Sequence, residues 1–130
     1  MRRQFKMPEG DVAALEGAGL EWETVMEGQA TWLVLPRFQL PTGYNHAVVS
    51  AALRIPPSYP DNQIDMVYFF PPLALTSGRA IGALSPLNFD GKEYQQWSRH
   101  RTSANPWRPD IDNVGTHLLL VNDWLTKERG

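Results

Sequence analysis

Val114, Leu118, Val121 and Leu125 recur at i, i+4, i+7 and i+11, the spacing that gathers side chains on one face of an α-helix. Such a face must be buried, so the rest of the chain has to supply a surface that receives it. His117 and Trp124 flank the stripe, Asp112 or Asn113 offers a short side-chain oxygen to cap the first turn, and Lys127 and Arg129 suit the negative C-terminal end. Upstream, Trp97-Ser98-Arg99-His100-Arg101 crowds three potential cations between Trp97 and Trp107, while Pro106 and Pro109 prevent a helix from running through the segment. A polar, cation-rich loop docked on a core helix is expected here.

The receiving surface is expected to be an antiparallel sheet. Residues 8–20 predict a short helix, with Pro8 in its first turn, Glu9 and Asp11 at its positive end, Val12, Ala14 and Leu15 inward, and Gly17 and Gly19 ending it. Residues 21–40 predict two strands around Glu27-Gly28-Gln29, the second bounded by Pro36 and Pro41. A third strand is expected over Ala47 to Ile55, stopped by Pro56-Pro57, with His46 a half-exposed residue at its entrance. A fourth is expected over Ile64 to Phe70, stopped by Pro71-Pro72 and apolar enough for burial on both faces. From Leu73 to Phe89 the pattern weakens, predicting irregular chain with a turn or short hairpin at Asn88-Phe89-Asp90-Gly91. Met1 to Lys6, with Arg2, Arg3 and Lys6, reads as a solvated end without a role. The order of elements points to an α+β fold in one domain spanning residues 1–130, its sheet covered on one side.

Composition narrows the function. The 12 Lys and Arg against 14 Asp and Glu, for a net charge of −2, leave no global basic field for nucleic acid or an anionic membrane. Apolar runs are short and interrupted by proline, and the N-terminus lacks the apolar segment of a secretory signal, so a cytoplasmic protein is expected. The 0 cysteines exclude disulfides, thiolate metal sites and thiol nucleophiles. His46, His100 and His117 lack metal-ligand spacing, and no glycine loop cradles phosphate, so neither a metal nor a nucleotide cofactor is expected.

Several stretches together carry a family resemblance. They are GDVAALEGAGLEWETVMEG, GYN, IPPSYPDNQIDMVYFFPPL, WSRH and WRPDIDNVGTHL, in that order and nearly end to end. They resemble the ubiquitin-conjugating (UBC-like) superfamily and, more narrowly, its bacterial family E. The resemblance implies the UBC-like fold: an N-terminal helix, a four-stranded meander, an irregular flap and a C-terminal amphipathic helix. It also implies partners, namely a ubiquitin-like protein, an activating-enzyme homologue and a JAB-type metallopeptidase. Members of the superfamily carry the ubiquitin-like protein as a thioester on a flap cysteine shortly before a Trp-x-Pro element. The corresponding place here is Ser98-Arg99-His100, and with no cysteine the ordinary thioester cannot form.

Two functional expectations follow. One is a component that binds or presents a ubiquitin-like protein without chemistry. The other is a non-thiol acyl-transfer enzyme in which His100 is the reactive group, with Ser98 as a possible oxyester partner. A scaffold that binds some other protein is the third reading. Arg99 and Arg101 are candidate carboxylate forks for a partner, with Trp97 beside them. Trp107, Asp112 and His117 are expected to support the flap, Trp107 by pinning it to the helix. Asp112 and His117 also have the composition of an acid-base pair, but an N-cap and a buried, hydrogen-bonded histidine on the helix face are the favoured reading.

Overall fold

The computed structural model describes residues 1–130. The order of elements is α1 (Glu9–Gly17), β1 (Glu23–Glu27), β2 (Ala30–Gln39), β3 (Val48–Ile55), β4 (Val67–Phe70), β5 (Leu84–Phe89), β6 (Lys92–Trp97) and α2 (Val114–Arg129). The strands form one sheet in the order β1-β2-β3-β4-β6-β5, antiparallel throughout. The α+β class, the two helices and the meander through β4 are as the sequence predicts.

The strand count is six rather than four. The segment expected to be irregular chain with a turn or short hairpin at Asn88 to Gly91 supplies the β5–β6 hairpin, turned there by Asp90 and Gly91 with φ of 55° and 72°, so the turn is as expected and the two strands it connects join the sheet. Two successive left-handed residues are what a type I′ turn requires. Trp97, expected at the start of the cation-rich loop, is therefore the last residue of a strand. Pro36, expected as a boundary, lies inside β2 at the register shift between Leu35 and Phe38, where an irregular ladder tolerates its missing N–H. The fourth strand is shorter than predicted because Met66 has a left-handed backbone, φ 60°, which breaks the extended chain just before Val67.

Period-2 alternation gives the sheet two apolar faces. Leu33, Leu35, Leu53, Val67, Phe69 and Trp97 meet Leu15 of α1 and the Val114-Leu118-Val121-Leu125 stripe of α2 in the larger core. Gly115 sits where the helices approach, since a Cβ there would lie 3.0 Å from that of Ala14. The opposite face, with Trp32, Val34, Tyr68 and Tyr94, forms a second core that the hairpin closes. Phe89 stacks on Trp32 at 4.3 Å, and Arg2 bonds both Glu23 of β1 (3.1 Å) and Asp90 of the hairpin turn (2.8 Å). The Asp90 N–H also donates to Glu27 at 2.9 Å. Both helices thus cover one face of the sheet, as expected, while the other is filled by its own aromatic side chains, and the basic N-terminal end is engaged rather than solvated. Arg2 holds the Glu23 and Asp90 carboxyls below their ordinary range through these hydrogen bonds, and they raise its own guanidinium in return.

Asp11, expected as a first-turn acid on α1, is buried and joins three elements. Its Oδ1 accepts from the Tyr59 hydroxyl at 2.9 Å and from the Val114 N–H at 3.0 Å, the latter an otherwise unpaired donor in the first turn of α2. Burial first, and then the Asp11 charge and hydrogen bond, push the Tyr59 phenol up. Asp11→Ala removes two hydrogen bonds to a carboxylate and strands their donors. We expect a loss of about 2–4 kcal/mol in urea unfolding, and a loss below about 0.5 kcal/mol would mean the three-way contact is not formed.

Candidate functional site

Between β6 and α2 runs a flap, residues 98–113, without regular secondary structure. Its course is set by pairing at both ends. The Ser98 N–H donates to the Ala83 carbonyl at 3.1 Å, and the N–H groups of Ile111 and Asp112 both reach the Arg108 carbonyl. Asn113 rather than Asp112 caps α2: its side chain accepts from the Thr116 N–H while the Thr116 hydroxyl accepts from the Asn113 N–H.

His100 is the one strongly exposed imidazole of the flap, with 59% of its side chain accessible. Its Nδ1 lies 2.9 Å from Asp65 Oδ2. An ionised carboxylate only accepts, so Nδ1 carries the proton and Nε2 keeps its lone pair. This is the arrangement in which a carboxylate orients an imidazole for proton transfer. Sequence reading missed Asp65, which is 35 positions away along the chain. The left-handed turn at Met66 lies between it and β4, and no local motif marks the spot.

The remaining candidates fall into place around this pair. Ser98 is not joined to His100; its hydroxyl accepts from Gln96 Nε2 at 3.4 Å. Trp97, a candidate contact for a partner, is completely buried, edge-on to Phe69 at 5.5 Å, and offers no surface. Arg99, a candidate carboxylate fork, is already bound to Glu128 Oε1 at 2.8 Å and to the Gly82 carbonyl at 3.1 Å, tying the flap to the end of α2. Arg101, the other fork, points inward with only 4% of its side chain accessible, its guanidinium 5.0 Å from the Trp107 ring and 4.0 Å from Asp112. Trp97 is thus enclosed as the last residue of β6, and the two arginines beyond it are engaged by Glu128, Gly82 and Trp107 rather than presented to solvent.

Trp107 supports the flap, but against a different neighbour from the expected helix. Its Nε1–H donates to the Pro60 carbonyl at 2.8 Å, and its ring lies 5.9 Å from that of Tyr59. Asp112 is buried and accepts from the Arg108 N–H at 2.8 Å. Burial alone would raise its carboxyl, yet the Arg108 N–H and the Arg101 and Arg108 charges bring it below the usual range.

His117 does not pair with Asp112. It is completely buried, and its Nε2 lies 2.9 Å from the Met66 carbonyl. A carbonyl only accepts, so Nε2 donates and the neutral ring keeps a lone pair on Nδ1. Burial lowers its pKa from 6.5 to about 4, against the opposing pull of the Met66 carbonyl. The unfolded chain therefore takes up a proton that the folded chain refuses, and stability falls as pH drops from 6.5 to about 4, then levels off. The shift corresponds to about 3 kcal/mol. Urea unfolding across that interval should show a steep wild-type slope that His117→Gln flattens; equal slopes would place the histidine in contact with water.

No group of three or more His, Cys, Asp or Glu side chains is arranged to hold a metal ion, and no helix is long and apolar enough to cross a membrane. No curated protein and no solved structure matches the chain. The family pattern described as prokaryotic E2 family E matches residues 7–128, which takes in both helices' cores, all six strands and the whole flap. With its two flanking helices, antiparallel sheet and cysteine-free flap, the chain belongs to prokaryotic E2 family E.

Proposed function

We propose that this E2-like chain binds the C-terminal tail of a ubiquitin-like protein at its flap and uses His100, oriented by Asp65, to assist transfer of that tail to an amine. The observation that carries the reading is the 2.9 Å His100–Asp65 pair, set where the superfamily keeps its reactive centre and open to solvent. Transfer needs no thiol on this chain. The acceptor amine attacks the activated C-terminal carbonyl, its proton passes to His100 Nε2, and the leaving group departs with the bonding electron pair. Asp65 stabilises the imidazolium that forms, and the proton is then released to water. The activated tail comes from an activating-enzyme homologue, and a JAB-type metallopeptidase is the partner suited to removing the modifier, all in the cytoplasm.

Reconstitution tests this. The chain, an activating-enzyme homologue, ATP and the ubiquitin-like protein are combined with an amine acceptor, and products are read by intact mass. The expected result is an amide product whose formation depends on the chain. A complex that forms without any dependence of product on the chain would leave presentation as its role. No complex with either partner would overturn both readings and leave a scaffold for another protein.

A further inference from the structure

Two arginines bracket His100, and both are enclosed: Arg99 keeps 18% of its side chain accessible and Arg101 4%, against 59% for the imidazole between them. Arg101 is held 5.0 Å from the Trp107 ring. The Arg99 guanidinium lies 4.9 Å from the Trp97 ring, donates to the Gly82 carbonyl at 3.1 Å, and meets Glu128 Oε1 at 2.8 Å. Glu128 stands in the last turn of α2, 29 positions from the arginine it binds. Its second oxygen accepts from Arg79 at 3.2 Å, and Arg79 also donates to the Glu128 carbonyl. This one half-buried carboxylate joins three segments: the crossover between β4 and β5, the first residues of the flap, and the end of α2.

That junction bears on the imidazole because the His100–Asp65 contact cannot order the flap by itself. A hydrogen bond between exposed side chains contributes less than the conformational entropy lost in fixing even one loop residue. The 2.9 Å separation therefore presupposes a backbone held by other means. The Arg99–Glu128 bond is charge-assisted and partly shielded from water, and Arg99 is the residue that leads directly into His100. We propose that Glu128 is a positioning residue for His100: by pinning Arg99 beside Gly82, it sets the backbone from which the imidazole reaches Asp65. In this role Glu128 touches neither the tail nor the amine. The proposal rests on the catalytic reading of His100 for its purpose, and on the Arg99 junction alone for its geometry.

The first test needs no ubiquitin-like protein: the tautomer of neutral His100 in the full chain, read from its ring nitrogens by NMR well above neutral pH. Wild type should hold the Nδ1–H form that Asp65 favours, and Asp65→Ala shows the ratio without that partner. Glu128→Ala should move the ratio about fivefold toward Nε2–H, the worth of one hydrogen bond, and so to the Asp65→Ala value. Lys127→Ala, which removes only the exposed pair with Asp123 on the same helical turn, should leave it at wild type. A wild-type ratio in Glu128→Ala, or an equal shift in Lys127→Ala, would overturn the proposal. If Glu128→Ala does not fold, Arg99→Met makes the same comparison, since it keeps the stem and removes both bonds. In the reconstituted transfer reaction Glu128→Ala should lower kcat about 10–10²-fold with tail affinity unchanged, the mark of misplacement rather than lost binding. A wild-type kcat in a variant whose tautomer has shifted would remove Glu128 from the positioning role. Absence of amide product with the wild-type chain would instead strike the catalytic reading, and the tautomer would still decide whether Glu128 holds the imidazole in place.

Discussion

His100→Ala is expected to slow amide formation by about 10²–10⁴-fold in the reconstituted reaction, the usual worth of a positioned general base. Folding stability should barely change. The side chain is largely exposed and its tie to Asp65 is a surface hydrogen bond, a contact worth about 0–1 kcal/mol in solvent. Asp65→Asn should fall between the two proteins, because the amide keeps the shape but no longer favours the imidazolium. Ser98→Ala should behave as wild type, since its hydroxyl is bonded to Gln96 and not to the imidazole. Wild-type rates in His100→Ala would refute the catalytic step while leaving tail binding to be judged by complex formation.

Trp97→Ala is expected to be the most damaging single truncation for the fold, at about 3–5 kcal/mol in urea unfolding. That is a large part of the roughly 5–15 kcal/mol that keeps a domain of this kind folded. The indole is completely buried among Phe69 at 5.5 Å, Tyr44 at 6.3 Å and the Arg99 guanidinium at 4.9 Å. Its Nε1–H donates to Gln95 Oε1, and the same amide holds both the N–H and the carbonyl of Leu73, so the cavity would also loosen the entry to the segment before β5. Trp97→Phe should lose less, because Gln95 keeps its bonds to Leu73. A change below about 1 kcal/mol for the alanine variant would contradict the burial.

What was legible in the sequence follows from how local its signal is. The α2 stripe is a nearest-face repeat within one segment, and all four of its residues are buried in the structure. β1 to β4 were marked by apolar alternation and by Gly28 and the proline pairs. The turn at Asp90-Gly91 is legible, but the length of β5 and β6 is not, because both faces of the hairpin are used. Trp97 goes to the helix side and Tyr94 to the other, with glutamines between them, so neither a polar face nor a clean alternation survives. Pro36 added a false boundary signal, because it sits at a register shift inside β2 where its missing N–H is tolerated. At the candidate site, His100 stood out from its place in the flap, whereas the carboxylate beside it did not, because only tertiary folding brings residues 65 and 100 together. The inward turn of Arg101 was equally invisible: a cation in a polar loop gives no sign of which way it faces.

The Arg2 clamp and the Phe89–Trp32 stack have a consequence for traffic around the molecule. With the sheet's outer wall already papered over by its own aromatic rings, no flat hydrophobic plane is left there for a globular visitor. Because that clamp spans the two outermost strands of the sheet, β1 and the β5–β6 hairpin, it also draws the two rims toward each other and away from the edge-on pairing by which a visiting strand would join.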